Sequence, residues 1–179
     1  MRDWRLFMLL SDLWTGIKFV AIVGILAHIL GIVFPKDCLC HESFPFKAFS
    51  WEKNGTFYNR FHISKWMSKL PDMSRIVPYM FRKKLDGDMT AEHIMQYIKE
   101  TCLAELVHFL LILSSPILAL IVGGRRGVIF MLIYSFCNIP FIMIQRYNRP
   151  KLVRLYRRQT EKEILREDEI QSESADTVV

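Results

Sequence analysis

Several familiar devices are missing from this sequence, and each absence removes a class of function. There is no Gly-x-Ser-x-Gly turn to present a serine nucleophile, no glycine-rich loop to cradle a phosphate, and no haem or flavin signature. The histidine followed five residues later by an aspartate, used by many glycerolipid-modifying enzymes, is also absent. Any catalysis must therefore be direct transfer, or rely on a constellation particular to membranes. Cysteine is scarce, with 4 in the chain. Cys102 and Cys137 lie in or beside apolar runs and read as filler. Cys38, Cys40 and His41 lack the second ligand pair that a metal site needs. No metal and no bound cofactor are expected. The sequence carries no aromatic–basic RNA-binding signature, so nucleic acid is not an expected partner.

Apolar residues are abundant: 51% of the 179 are hydrophobic, gathered into three blocks. The blocks cover 13–34, 106–122 and 128–144, from comfortable to minimal length for a hydrocarbon layer of about 30 Å. The expected fold is an all-α integral membrane protein with about three transmembrane helices and an amphipathic helix in the interface. One embedded domain would cover 1–160. Ser11 or Asp12 is placed to cap the first helix and Pro35 to stop it. Lys18 can snorkel, while His28 lies deeper. Arg2 and Arg5 precede this run as in a signal peptide, but no small-residue cleavage signal follows and the run is long, which favours a retained helix. Thr90 or Asp88 would cap a helix starting at Ala91 and running into the second block, with Pro116 as a kink. Residues 123–127 read as a tight polar turn, and Pro150 as the end of the last helix, with the basic segment after it as a surface helix.

Between the first two blocks, 57–70 puts Ile63, Trp66, Met67 and Leu70 on one helical face, with Arg60, Lys65 and Lys69 opposite. Pro71 and Pro78 break the chain after it, and 85–89 reads as a turn. The tail 161–179 is acidic, lacks aromatic residues and reads as disordered. The formal charge of +6 resides largely in basic residues beside apolar blocks, where anionic lipid is the natural partner. By the positive-inside rule, the middle segment and the start of the tail face the cytoplasm and the N-terminus lies outside. Arg125 and Arg126 are the exception.

Two clusters could carry chemistry. Glu105 and His108 share a helical face at the entrance to the second block, with Thr101 four residues before Glu105. A neutral histidine suits proton abstraction from an alcohol, and a nearby carboxylate can orient it. The alternative is structural: Glu105 pairs with an arginine and His108 with a backbone carbonyl. At the end of the third block, Arg146, Asn148 and Arg149 arrive at the boundary. Their forks can clamp a phosphate or carboxylate, or anchor a helix end.

Five motifs occur in order: Phe49 to Gly55 (FSWEKNG), Lys65 with Trp66, Glu100 and Thr101 leading into Ala104 to His108 (AELVH), Asn138 to Pro140 (NIP), and Gln145 to Leu152 (QRYNRPKL). Together they resemble the glycosyl-4,4′-diaponeurosporenoate acyltransferase family, small bacterial membrane proteins of carotenoid biosynthesis, from about 49 to 158. Met67 departs from the pattern where a second basic residue is expected. The resemblance implies esterification of a fatty acyl group onto the primary hydroxyl of the sugar on a glycosylated C30 carotenoid, the last step of staphyloxanthin formation. The protein would then be a multi-pass bacterial cell-membrane enzyme. Its partners would be membrane lipids, a lipidic glycoside acceptor, an activated fatty acyl donor and other pathway enzymes. In that frame His108, backed by Glu105, removes the hydroxyl proton. Arg146, Asn148 and Arg149 hold the donor's phosphate or the oxyanion. Asn138 bridges helices or contacts the sugar, Glu52 and Lys65 line the cytoplasmic mouth, and Trp66 is a further substrate-binding candidate. The competing readings are a non-catalytic membrane scaffold and an acyltransferase for a different lipid alcohol.

Overall fold

The computed structural model describes residues 2–67 and 90–176. Among them all regular structure is helical: α1 (Arg2–Val33), two 3-10 segments (Lys36–Cys38 and Ser50–Phe61), α2 (Ile63–Trp66), α3 (Ala91–Val122) and α4 (Gly124–Asp176). The chain forms two compact units. One comprises Met1–Leu39 with Cys102–Gln145, and the other Cys40–Thr101 with Arg146–Val179. Pro71, Pro78, Asp88 and the turn expected at 85–89 lie outside the described residues.

The first unit holds the apolar parts of α1, α3 and α4, three helices long and apolar enough to cross a membrane. Their outer faces carry large exposed side chains such as Phe7, Leu120 and Phe136. A hydrocarbon surrounding, unlike water, imposes no penalty on such faces, and it favours helices because every backbone group pairs within the segment. Asp12 pairs with Arg126, Gly16 lies against Phe130, and the Phe19 and Tyr134 rings meet edge to face at 5.7 Å. Both sequences rise together, so α1 and α4 run parallel. Helix α3 runs antiparallel to α4: Ser135 donates to Ser115 at 2.8 Å, and Gly127 lies against Ala119. A Cβ at Gly127 would fall 2.3 Å from the Ala119 carbonyl oxygen, so only glycine permits this approach. The reversal between them uses Gly123 and Gly124 at φ of +75° and +56°, left-handed values that glycine adopts without strain.

Asp12 does not cap α1, which begins a full ten residues earlier, at Arg2. It lies within the helix, 2.9 Å from Arg126. That pairing neutralises one of the two turn cations that run against the charge bias of the sequence. Pro116 lies inside α3, which remains one element.

The buried apolar residues of the second unit include Ile63, Ile94 and Ile98, which are at most 1% exposed, together with Tyr58, Phe46 and Tyr147. The helix expected over 57–70 is not continuous. His62 adopts φ +50° and divides a 3-10 segment from the single turn of α2. Ile63 thereby turns into the core, and the Trp66 indole donates to the Phe61 carbonyl across the break at 2.8 Å. Leu70 and Lys69 lie outside the described residues.

Pro150 does not end α4. Proline removes one amide donor and crowds the carbonyl four residues earlier, which here belongs to Arg146. Gly55 (φ +87°) abuts that spot: a Cβ there would lie 3.2 Å from the Tyr147 oxygen and 3.5 Å from that of Arg146. The loop thus packs against the disturbed turn, and the helix continues. It also continues through the acidic segment to Asp176. Glutamate, lysine, arginine, leucine and glutamine are all strong helix formers, so composition that lacks a core still sustains a helix. Packing adds to this. The Glu163 carboxylate accepts from the Ala91 amide at 2.9 Å, capping the start of α3 together with Thr90, whose hydroxyl accepts from His93 at 3.4 Å.

Candidate functional site

In the second unit, Arg146 and Arg149 stand three residues apart on α4 and share one face. Arg146 meets Glu52 as a two-pronged fork, Nε to Oε1 at 2.5 Å and Nη2 to Oε2 at 2.9 Å. Its remaining donors reach the Pro45 and Lys47 carbonyls at 3.0 and 3.2 Å, and its plane covers the Phe49 ring at 4.6 Å. Glu52, 1% exposed, also accepts from the Tyr58 hydroxyl and from the Phe49 amide, the latter at 2.7 Å. Burial alone would raise the Glu52 pKa. The bonds from Arg146, Tyr58 and Phe49 outweigh it and hold the carboxyl below its ordinary value. Burial and the Glu52 acceptor push the Tyr58 hydroxyl well above its usual range.

Arg149, 4% exposed, donates through Nε to the Thr101 hydroxyl at 2.9 Å. It also reaches the Thr101 carbonyl at 2.9 Å and the Phe46 carbonyl at 2.7 Å. The two arginines therefore clamp the 45–52 loop and the first turns of α3 onto α4. Glu52 is the buried counter-ion of Arg146 and also lines the cavity beside it.

Beside this clamp opens a cavity of about 570 Å³, lined by Arg146 and Arg149 and further along α4 by Arg154 and Arg157, with Lys47 and His41 from the loop. Burial lowers the His41 pKa. Glu42 opposes that shift, and the nearby charges of Arg149 and Arg157 reinforce it. Asn148, half-buried, and Lys65 and Trp66 are not among the lining residues.

In the first unit, His108 and Asn138 face each other from α3 and α4, His108 Nδ1 lying 2.9 Å from Asn138 Oδ1. The Asn138 amide nitrogen donates to the Tyr134 carbonyl at 2.9 Å, which fixes its oxygen toward the imidazole. An oxygen can only accept, so Nδ1 carries the proton and Nε2 of the neutral ring holds the lone pair. Phe141 stacks on the imidazole at 4.5 Å, with the planes 8° apart. Glu105, one turn before His108, is buried. The contact that orients Nδ1 thus comes from Asn138, an amide thirty residues away in sequence.

Both clusters draw on the motifs that carry the resemblance. The sequence model of the family described as glycosyl-4,4′-diaponeurosporenoate acyltransferase matches residues 42–158. The chain belongs to that family. The proteins of that name from Staphylococcus aureus strains N315 and USA300 are each 32% identical to it over 130 residues, 72% of this chain and 78% of theirs. No solved structure matches. In this chain the motif residues have further partners. Tyr58 and Phe49 complete the surroundings of Glu52, and Lys47, Arg154 and Arg157 line the cavity. The arginines had a legible signal, since 146, 149, 150, 153, 154 and 157 follow one helical stripe once α4 is taken through Pro150. Tyr58 and Glu52 are six apart in irregular backbone and had none.

Proposed function

We propose that this family member moves a fatty acyl group from an activated thioester onto the primary hydroxyl of the sugar on a glycosylated C30 carotenoid. The observation that carries the reading is the His108–Asn138 pair, which leaves a basic Nε2 on a histidine held within the apolar helices. His108 Nε2 takes the proton of the sugar hydroxyl as the hydroxyl oxygen forms its bond to the acyl carbonyl carbon. The tetrahedral intermediate then collapses, the carbon–sulfur bond breaks, and the departing thiolate recovers the proton from the imidazolium. No covalent enzyme intermediate is needed, in keeping with the lack of a serine or cysteine nucleophile motif. Asn138 orients the ring. Buried Glu105, one turn away, supplies negative charge to the imidazolium.

Confinement of both lipidic reactants to one layer supplies proximity, an effect that well-oriented intramolecular reactions show to be large. The cytoplasmic face is assigned to the middle segment and to the start of the tail. The parallel α1 and α4 and the Asp12–Arg126 pair support an outside position for the 123–127 turn and the N-terminus.

The test is ester formation by purified protein in a bilayer, given a glycosylated carotenoid and a fatty acyl thioester. Wild type should form the ester and His108→Ala should lose about 10²–10⁴-fold in rate while still inserting. No transfer by wild type would favour a scaffold, and full activity in His108→Ala would remove the base.

A further inference from the structure

We propose that the cavity of the second unit binds the phosphate-bearing end of the acyl donor, with Lys47, Arg154 and Arg157 as the contacting residues. This rests on the acyl-transfer reading above and adds to it the chemistry by which the donor is recognised. At about 570 Å³ the cavity falls in the range of small-molecule and cofactor sites. Its lining carries five cationic side chains, Lys47, Arg146, Arg149, Arg154 and Arg157, against the carboxylates of Glu42 and Glu52, a formal excess of three positive charges. Glu52 repels an incoming anion weakly, because Arg146, Tyr58 and the Phe49 amide already surround its carboxylate.

Burial divides the labour among these cations. Arg146 and Arg149 are buried and hold the 45–52 loop, whereas Arg154, Arg157 and Lys47 are exposed. Arg154 and Arg157 lie eight and eleven residues beyond Arg146, so they extend the same stripe of α4, and the loop presents Lys47 to the same space. Guanidinium forks match phosphate oxygens in pairs, and an ammonium adds a point charge. Phe46, Pro150 and Val153 give the cavity apolar wall as well. A carotenoid glycoside has no phosphate and gains nothing from such a site. Thioester acyl donors do carry phosphate, either as the diphosphate and phosphomonoester of coenzyme A or as the phosphodiester of a carrier protein's pantetheine arm.

The experiment uses full-length protein in nanodiscs of phosphatidylcholine, with coenzyme A as one probe and dihexanoyl phosphatidylglycerol as the other. Binding is measured for wild type, Arg154→Gln with Arg157→Gln, Lys47→Gln, and His108→Ala. The exposed side chains are replaced by polar ones of similar length, so the fold is retained. Coenzyme A should bind wild type and His108→Ala alike. Its affinity should fall roughly tenfold for each guanidinium removed, as expected for a lost charge-assisted bond, and should weaken steeply with salt. If only the phosphatidylglycerol probe shows this sensitivity, the cavity holds a membrane-lipid headgroup and the donor assignment is overturned. If neither probe responds to the substitutions, the proposal is overturned. Acyl-transfer kinetics separate this outcome from the parent reading. Turnover in the arginine variants with an unchanged KM for the donor would refute the cavity and leave the reaction standing. Variant-sensitive probe binding by a wild-type protein that forms no ester would keep the cavity and refute the reaction.

Discussion

Substituting Glu52→Gln should expose how much of the second unit hangs on one carboxylate. The replacement keeps the shape and removes the charge, leaving buried Arg146 with carbonyls for partners but no counter-ion at position 52. Removing one partner of a buried pair costs about 3–5 kcal/mol, because the other charge is left uncompensated. Against a total stability of about 5–15 kcal/mol that is a large fraction. At about 2–4 °C per kcal/mol for a chain of this size, Tm should fall by about 6–20 °C. Trp51, 6.2 Å from the Tyr58 ring, is a natural fluorescence reporter for thermal unfolding in detergent. Taking both charges away, Glu52→Leu with Arg146→Met, should recover much of the loss.

The pH dependence has a definite sign. Glu52 has a folded pKa below its ordinary 4.5, so its contribution is full above that value. It is lost as pH falls through the depressed folded value, and Glu52→Gln should lack that acid limb. A Tm for Glu52→Gln within about 2 °C of wild type, under about 1 kcal/mol, would show that the pair contributes little to stability.

Asn138→Ala frees the His108 tautomer and should lower kcat by about 10²-fold, the low end for a general base, with little change in KM. Asn138→Asp, which still accepts from Nδ1, should retain more activity, and steady-state kinetics decide between them. Gly127→Ala forces a Cβ to 2.3 Å from the Ala119 oxygen and should destabilise the α3–α4 contact by about 1–3 kcal/mol, read as a lower Tm. Gly24→Ala, with nothing within 4 Å of its Cβ, is the control and should not lower it.

The three spanning helices were legible because length and apolar content decide them in hydrocarbon, with little help from tertiary packing. Their ends were less so. Pro150 reads as a stop by local rules, yet Gly55, ninety-five residues earlier, packs against the disturbed turn and the helix continues. The acidic tail reads as disorder because composition does not reveal that Glu163 meets the amide of Ala91. His108 and the arginines stood out as ionisable groups at apolar boundaries, and Asn138 as a polar bridge between helices, but which groups pair did not. Asn138 as the acceptor for His108, and Glu52 as the counter-ion of Arg146, are contacts across thirty and ninety-four residues. Local spacing carries no information about such pairs.

The most direct test of the central claim is lipid mass spectrometry on cells that make the glycosylated C30 carotenoid, carrying wild-type protein, His108→Ala or no protein. An acyl ester should appear on the sugar with wild type alone, at equal membrane levels of both proteins. An acylated glycoside in the His108→Ala cells at wild-type abundance would contradict the assigned base. Its absence from the wild-type cells would contradict the assigned reaction.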